Sequence, residues 1–363
     1  MQPPTSGERL FFSKESMRYA APVLRRAQKL TLLELQGRTD DEIYELCFAR
    51  LLKPDPWVIA GFKPPQSSEA VLMMGTDQRD LFVPLLRREA EFLNDNAKVA
   101  DLGCGDGQTS RFLWEKLKSN ITLDVLDPVP AYVSAYQHLT SSFDRIHLRS
   151  AQRGTLDQWV QSQSVRSLGS TAQSQHVEVY NLIIMIHSLY FANNLSDLIE
   201  SVADSLGPRG RLFLVFADEL DGFTGKVVAS HLRSLKSSRE TEYIEQIAAR
   251  HNLFGISGPS ASGQPSTGHF GGLLRRDDLE ICFVERQMSR IYGHDFCDLL
   301  AAGFITGLAS ASHMPLEDKI AGICDILENE PDSVGLAVEL NGARTRMLSV
   351  SQPQYVIAIS KKP

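Results

Sequence analysis

The 363-residue chain has no CxxC pair, and its five cysteines, Cys47, Cys104, Cys282, Cys297 and Cys324, are scattered along it. That scatter suggests neither a disulfide framework nor a thiolate zinc site, and it fits reduced thiols in cytoplasm. Dense Lys/Arg runs are missing too, and 37 basic against 44 acidic residues leave a formal net charge of -7. A phosphate backbone finds no basic footprint here, so nucleic acid is not an expected partner. No apolar run approaches the length of a bilayer span, and the opening MQPPTSGERLFFSKES lacks the apolar core of a secretory leader. A cytoplasmic location with no membrane partner is expected. With 43% apolar residues and no internal repeat, the chain reads as globular, long enough for an α/β domain and an accessory subdomain.

Ser13 to Leu35 carries Tyr19, Val23, Ala27, Leu30 and Leu33 at helical spacing, with Pro22 in the first turn or at a kink. Thr39 before Asp40, Asp41 and Glu42 reads as the N-cap of a second helix that Pro54 stops. These helices and a linker with four prolines between Lys53 and Pro65 make residues 1–65 an expected helical N-terminal subdomain, the α/β domain occupying 66–363. Another helix is expected from about Gly75 to Leu93. Short apolar runs then alternate with helical stretches: Val99 to Leu102, Ile121 to Leu126, Val179 to Ile186 and Arg211 to Phe216. That alternation predicts a parallel sheet with helices on both faces. Gln161 to Gln175 reads as a surface insertion, and Ser257 to Gly272 as a passive loop or a lid. Leu279 to Tyr292 reads as helix then strand, His294 to Leu308 and Leu316 to Asn329 as helices, and Gln354 to Ser360 as a last strand.

Within KVADLGCGDGQTSRFLWEKL, an apolar strand enters Gly103-Cys104-Gly105-Asp106-Gly107 and a helical stretch follows. Strand, glycine turn and helix in that order build a nucleotide crevice at the carboxyl edge of a sheet. The spacing is GxGxG, whereas a dinucleotide pyrophosphate calls for GxGxxG. Asp101 and Asp106 flank the loop, which disfavours a pyrophosphate and suits a cationic ligand with an amino group and a sulfonium. The second strand ends at Asp127, placed to accept both ribose hydroxyls, with Pro128 following. Together these point to S-adenosylmethionine over NAD, and hence to a Rossmann-like class I methyltransferase sheet, mostly parallel with an antiparallel last strand. Taken singly, Asp106 also reads as a turn residue satisfying its own backbone, and Asp127 as an acid that ends a strand.

The fourth strand runs into His187-Ser188-Leu189-Tyr190-Phe191. The Asn/Asp-Pro-Pro-Tyr/Phe tetrapeptide of enzymes acting on planar amides and adenine amines is absent, and Ile183 to Ser188 offers no cluster of Asp or Asn for a metal. His187 can orient a nucleophile or take its proton, or simply sit hydrogen-bonded in the crevice. Open readings are N-methylation of an amine or imidazole, C-methylation of an indole-type product, O-methylation of a small metabolite, and a non-catalytic S-adenosylmethionine sensor or partner subunit.

VLDPVPAYVSAYQHL, YNLIIMIHSLYFANNLSDLIESVADSLGPRGRLFLVF, LLRRDDLE (on an expected helix) and the terminal QPQYVIAIS resemble the histamine N-methyltransferase family across roughly residues 67–360. The resemblance implies S-adenosylmethionine as donor, S-adenosylhomocysteine as product, no metal, and a small nitrogen compound as acceptor. It implies that Gly103 lies against the methionine part, that Asp127 binds ribose, that Ile186 contacts the cofactor, and that Thr155 supplies a hydroxyl near adenine; Gly105 and Gly107 are cofactor-binding candidates from the loop itself. Tyr132 stands where the family has a cofactor-contacting glutamine, and His187 where it has an acceptor-contacting one. Glu69 is the implied partner of the acceptor amine. Ser351 and Gln352 stand where an asparagine meets the imidazole, and Tyr190, after the fourth strand, is a further expected acceptor contact. Insertions around 220–315 are expected to shape the acceptor pocket, and the N-terminal helices to cover that pocket or pair two chains as a homodimer.

Overall fold

The computed structural model describes residues 8–51, 75–168, 179–234, 239–254, 256, 276–307, 314–341 and 345–363. In chain order the strands are β1 (Glu8–Phe11), β2 (Ala97–Leu102), β3 (Ile121–Asp127), β4 (Ile146–Arg153), β5 (Tyr180–Ile186), β6 (Leu206–Ala217), β7 (Leu279–Gln287), β8 (Arg290–Gly293), β9 (Ala337–Asn341), β10 (Thr345–Ser351) and β11 (Gln354–Lys361). The chain divides into two compact units, each built from separated segments.

One unit, residues 81–216, 248–287 and 355–363, holds a seven-stranded sheet in the order β4-β3-β2-β5-β6-β11-β7. β2 pairs in parallel with β3 from Ala97↔Ile121 to Leu102↔Leu126, and on its other side with β5. β3–β4 and β5–β6 are parallel as well. The chain therefore builds outward from β2 to β4, then returns to β5 on the opposite side, and a crevice opens at the carboxyl ends where the direction of building reverses. This is the expected Rossmann-like α/β sheet. Its strands are apolar on both faces: one core cluster gathers Ala100, Leu102, Leu126, Trp159 and Met185, the other Val99, Leu123, Val125, Leu182 and Ile184. Alternating side chains thus feed two helical layers.

The other unit, residues 1–80, 217–247 and 288–354, has a four-stranded sheet, β1-β9-β10-β8, antiparallel throughout. Helix Lys14–Leu35 is capped by Ser13, whose hydroxyl accepts from Ser16 N–H, and Pro22 lies inside it, beyond the first turn. Thr39 and Glu42 form the reciprocal cap of helix Asp40–Leu51. The buried residues of these helices share a core with helices Phe223–Ser234, Phe296–Gly307 and Leu316–Asn329. The buried face of the first is Met17, Ala21, Leu24, Ala27, Thr31 and Leu35, whereas Tyr19, Val23, Leu30 and Leu33 are exposed. Apolar residues recur on a second face of this helix among Arg18, Arg26 and Lys29, and spacing alone does not say which face is covered. The expected boundary at 65/66 falls outside the described residues.

Of the insertion expected from Gln161 to Gln175, Gln161 to Leu168 is the second half of helix Leu156–Leu168, with Gln163 buried, and residues 169–175 lie outside the described residues. Leu279 to Tyr292 forms two strands, β7 and β8; of LLRRDDLE, expected on a helix, Arg276 to Asp278 lead into β7, and residues 273–275 lie outside the described residues. β7 carries Glu280, Glu285 and Arg286 among its apolar residues, a mixture that charge-rich helices share. β4, β9, β10 and β1 carry too many polar residues to stand out as apolar runs. Residues 257–272 lie outside the described set. Among the described residues no helix is long and apolar enough to cross a membrane.

Candidate functional site

β2 runs buried into Asp101 and Leu102 and breaks at Gly103, Gly105 and Gly107, whose φ angles are 73°, 57° and 80°. Side chains resist such angles, yet the three glycines serve different ends. A Cβ on Gly103 would lie 2.3 Å from Ser188 Cβ, and one on Gly107 2.9 Å from Tyr136 and Leu139. Around Gly105 nothing lies within 4 Å of where a Cβ would stand. Two glycines are packing requirements; the third presents bare backbone to open space, as a loop that receives a ligand must.

Asp101 is buried beneath this loop, and its Oδ2 accepts from Ser110 Oγ at 2.5 Å and Tyr136 OH at 2.7 Å, while Trp114 Nε1 donates to Tyr136 OH at 3.1 Å. Burial pushes its carboxyl up to about 6, the two hydroxyls pull the other way, and the Asp127 charge adds to the rise. A folded-state value above the unfolded one means stability is present below about 4 and lost as pH rises through 6. Asp101→Asn retains one oxygen for both hydroxyls and cannot ionise. Its unfolding free energy is expected to exceed that of the parent above pH 7 by on the order of 2–3 kcal/mol, and the difference to shrink as pH falls through 6 to 4. Urea titrations at pH 4.5 and 7.5 check this; an equal difference at both pH values contradicts it.

Asp127 closes β3, almost fully buried. Its Oδ2 accepts from Gly105 N–H at 2.9 Å and its Oδ1 from Val129 N–H at 2.9 Å. The carboxylate thus staples the glycine loop to the turn through exposed Pro128, and one lone pair on each oxygen is left over. Gly103 and Cys104 N–H both donate to Leu126 O. Asp106 Oδ1 accepts from Gln108 N–H at 3.1 Å, so the turn-residue reading of Asp106 is realised. Burial, then the charges of Asp101 and Asp127, push the Cys104 thiol up. Tyr132 is half-buried in the first turn of helix Pro130–Thr140. Gly154 N–H donates to Asp127 O, which brings Thr155 to the same edge; its hydroxyl caps helix Leu156–Leu168 by accepting from Gln158 N–H.

β5 delivers Ile186 and His187 to the crevice end, His187 N–H donating to Val215 O at 2.8 Å. His187 has φ 53°, rare for a non-glycine residue, and the turn sets its ring stacked on that of Tyr190 with Nδ1 3.2 Å from the Tyr190 hydroxyl. Phe82 meets the imidazole edge-on and Arg250 lies 5.8 Å from the Tyr190 ring centroid. Ser188 Oγ donates to Leu102 O and fills the space that Gly103 leaves. Ser110, Tyr136, Ser188, Phe82 and Arg250 were not expected here. Only Tyr136 left a trace in the sequence, one helical turn after Tyr132.

Asp101, Gly103, Gly105, Asp106, Gly107, Asp127, Pro128, Tyr132, Thr155, Ile186, His187 and Tyr190 belong to the seven-stranded unit. Glu69 lies outside the described residues, and Ser351 and Gln352 belong to the other unit. There Gln352 is buried, its Oε1 accepting from Thr224 N–H at 3.0 Å where helix Phe223–Ser234 begins. That is a structural duty. Gln352→Ala is expected to lower unfolding free energy by about 1–2 kcal/mol, read from the denaturant midpoint; an unchanged midpoint with a raised acceptor KM would instead make it an acceptor contact. Among the described residues no group of three or more His, Cys, Asp and Glu is placed to hold a metal ion.

Residues 74–254 match a family model described as a methyltransferase domain. No curated protein matches. Among solved structures, the YcgJ protein from Bacillus subtilis is 13% identical with a TM-score of 0.43, covering 78% of this chain and 99% of its own. Coclaurine N-methyltransferase bound to N-methylheliamine and S-adenosylhomocysteine is 12% identical with a TM-score of 0.40, covering 95% of each chain. The plantazolicin methyltransferase BpumL, in complex with a triazolic desmethylplantazolicin analogue and S-adenosylhomocysteine, is 12% identical with a TM-score of 0.36, covering 97% of this chain and 100% of its own.

Proposed function

We propose that this chain, which carries a methyltransferase domain over residues 74–254, transfers the methyl group of S-adenosylmethionine to a small nitrogen compound, an amine, imidazole or related heteroaromatic. The observation that carries the donor half is Asp127, held by Gly105 and Val129 N–H at the carboxyl end of β3 with acceptor capacity to spare beside bare Gly105 backbone. Bound S-adenosylmethionine supplies an electrophilic methyl group on a sulfonium. Asp127 accepts the ribose hydroxyls, the Gly103–Gly107 turn receives the methionine part, and Tyr132 and Thr155 flank the adenosine. Asp101 and Asp127 place negative charge under a cationic donor, a poor setting for a pyrophosphate. Ile186 closes the crevice at the end of β5.

Transfer is an in-line displacement, so the protein's task is to hold the acceptor nitrogen collinear with the methyl and away from water. His187 takes the proton the nitrogen sheds. In the tautomer whose Nδ1–H donates to the Tyr190 hydroxyl, 3.2 Å away, Nε2 carries the lone pair for that proton. The resemblance to the histamine N-methyltransferase family supports a nitrogen acceptor, with Glu69 meeting its amine. Acceptors are to be screened by transfer of a labelled methyl group to amines, imidazoles, indoles and phenols. His187→Ala is expected to bind S-adenosylhomocysteine within threefold of the parent while kcat for the nitrogen acceptor falls roughly 100-fold. Parent-like kcat in that variant removes His187 from the chemistry; labelling of phenols alone removes the nitrogen acceptor.

A further inference from the structure

We propose that the seven-stranded unit carries a second small-molecule site, beneath helix Leu156–Leu168, that binds an uncharged one- or two-ring nitrogen heterocycle through a ring N–H. A cavity of about 270 Å³ lies there, and neither the glycine loop nor Asp127 lines it. That is room for roughly nine waters at ~30 Å³ each, or for one flat ring system.

Its walls define the ligand. Leu102, Leu126 and Trp159 give it an apolar side. The lining also holds a charge pair: Arg149 Nε donates to Asp124 Oδ1 at 2.9 Å, a second guanidinium nitrogen to Oδ2, and Tyr180 OH to Oδ2 at 2.8 Å. Balanced charge in the wall gives no advantage to an ion. Gln163 is buried, 9% exposed, and its Oε1 has no hydrogen-bond partner among the described residues. A buried acceptor left so calls for a donor, and a heterocyclic N–H with an apolar body satisfies both walls at once.

The backbone supports the site. Register between β3 and β4 passes from Leu123↔Leu148 to Asp124↔Ser150, leaving Arg149 as an extra residue. Neighbours in a regular strand point to opposite faces, yet Arg149 and Ser150 both line this cavity. The bulge re-aims Arg149 onto Asp124, a use to which bulges beside binding sites are put.

The site is independent of the methyl-transfer reading, and so is its test. Hypoxanthine and uracil are titrated calorimetrically into the full chain, with and without saturating S-adenosylhomocysteine. One of them is expected to bind saturably at one per chain in both conditions. Gln163→Leu, and separately Ser150→Leu, which fills the cavity from half-exposed β4, are expected to weaken it at least tenfold while leaving S-adenosylhomocysteine affinity unchanged. The proposal is overturned by absence of saturable binding of both probes at millimolar concentration, by displacement with S-adenosylhomocysteine, by binding that survives both variants, or by a crystal soaked with the probe showing only water in the cavity.

Discussion

Asp127→Ala is expected to weaken S-adenosylhomocysteine binding by at least 100-fold, to the edge of calorimetric detection, without unfolding the protein. The carboxylate makes two charge-assisted hydrogen bonds to backbone, at Gly105 and Val129, and in the proposed complex accepts the ribose as well. Hydrogen bonds to a charged group contribute about 1.5–3 kcal/mol each, and two lost from a loop that must stay pre-formed exceed two decades of affinity. Asp127→Asn separates the two roles. Its amide keeps one oxygen and turns the other into a donor facing a backbone N–H, so the loop loses one staple. An intermediate loss, at least tenfold, is expected. Affinity equal to the parent in the alanine variant would remove Asp127 from the cofactor site.

Gly103→Ala and Gly105→Ala should part company, although both residues have positive φ and stand two positions apart. At Gly103 the added methyl meets Ser188 Cβ at 2.3 Å, a distance that β2 or the start of the 3-10 turn after His187 must move to relieve. Adding to this the 1–2 kcal/mol of a left-handed alanine, the variant is expected to lose about 3 kcal/mol or more of stability, seen as insoluble protein or a thermal midpoint several degrees lower. At Gly105 the methyl enters open space and only the left-handed cost of about 1 kcal/mol applies. That variant should fold and nonetheless bind S-adenosylhomocysteine at least tenfold more weakly, because the methyl occupies the ligand's side of the turn. A well-folded Gly105→Ala with parent affinity would place the cofactor elsewhere.

The contrast between these glycines shows how far sequence reading reaches. GxGxG after an apolar strand, with an acid at the end of the next strand, was enough to foresee the crevice, because glycine and carboxylate placement there is dictated by local backbone chemistry. Which glycine serves packing and which serves the ligand depends on Ser188, far along the chain on another strand end, and no local pattern reports that. β2, β3, β5 and β6 were legible because strands buried on both faces are continuously apolar. β4, at the sheet edge, alternates polar residues with Ile146 and Leu148 and carries an extra Arg149, so its period is broken where it would be read. Gln352 reads as an acceptor contact because it stands before the last strand; its hydrogen-bond partner, the backbone N–H of Thr224, becomes a neighbour only in the folded chain.

The place of β11 bears on how the protein comes to be folded. It lies between β6 and β7 and, from Val356 to Ile359, is at most 1% exposed, yet it is joined to β6 only after the chain has passed through most of the other unit. Closing so long a loop is slow. Until it happens, β6 and β7 each present an open edge, and β6 is a long apolar strand of the kind that pairs with any similar neighbour. Production should therefore be limited less by final stability than by the time β6 waits for its partner. A fragment trimmed to residues 74–254, which lacks β7 and β11 altogether, would never end that wait.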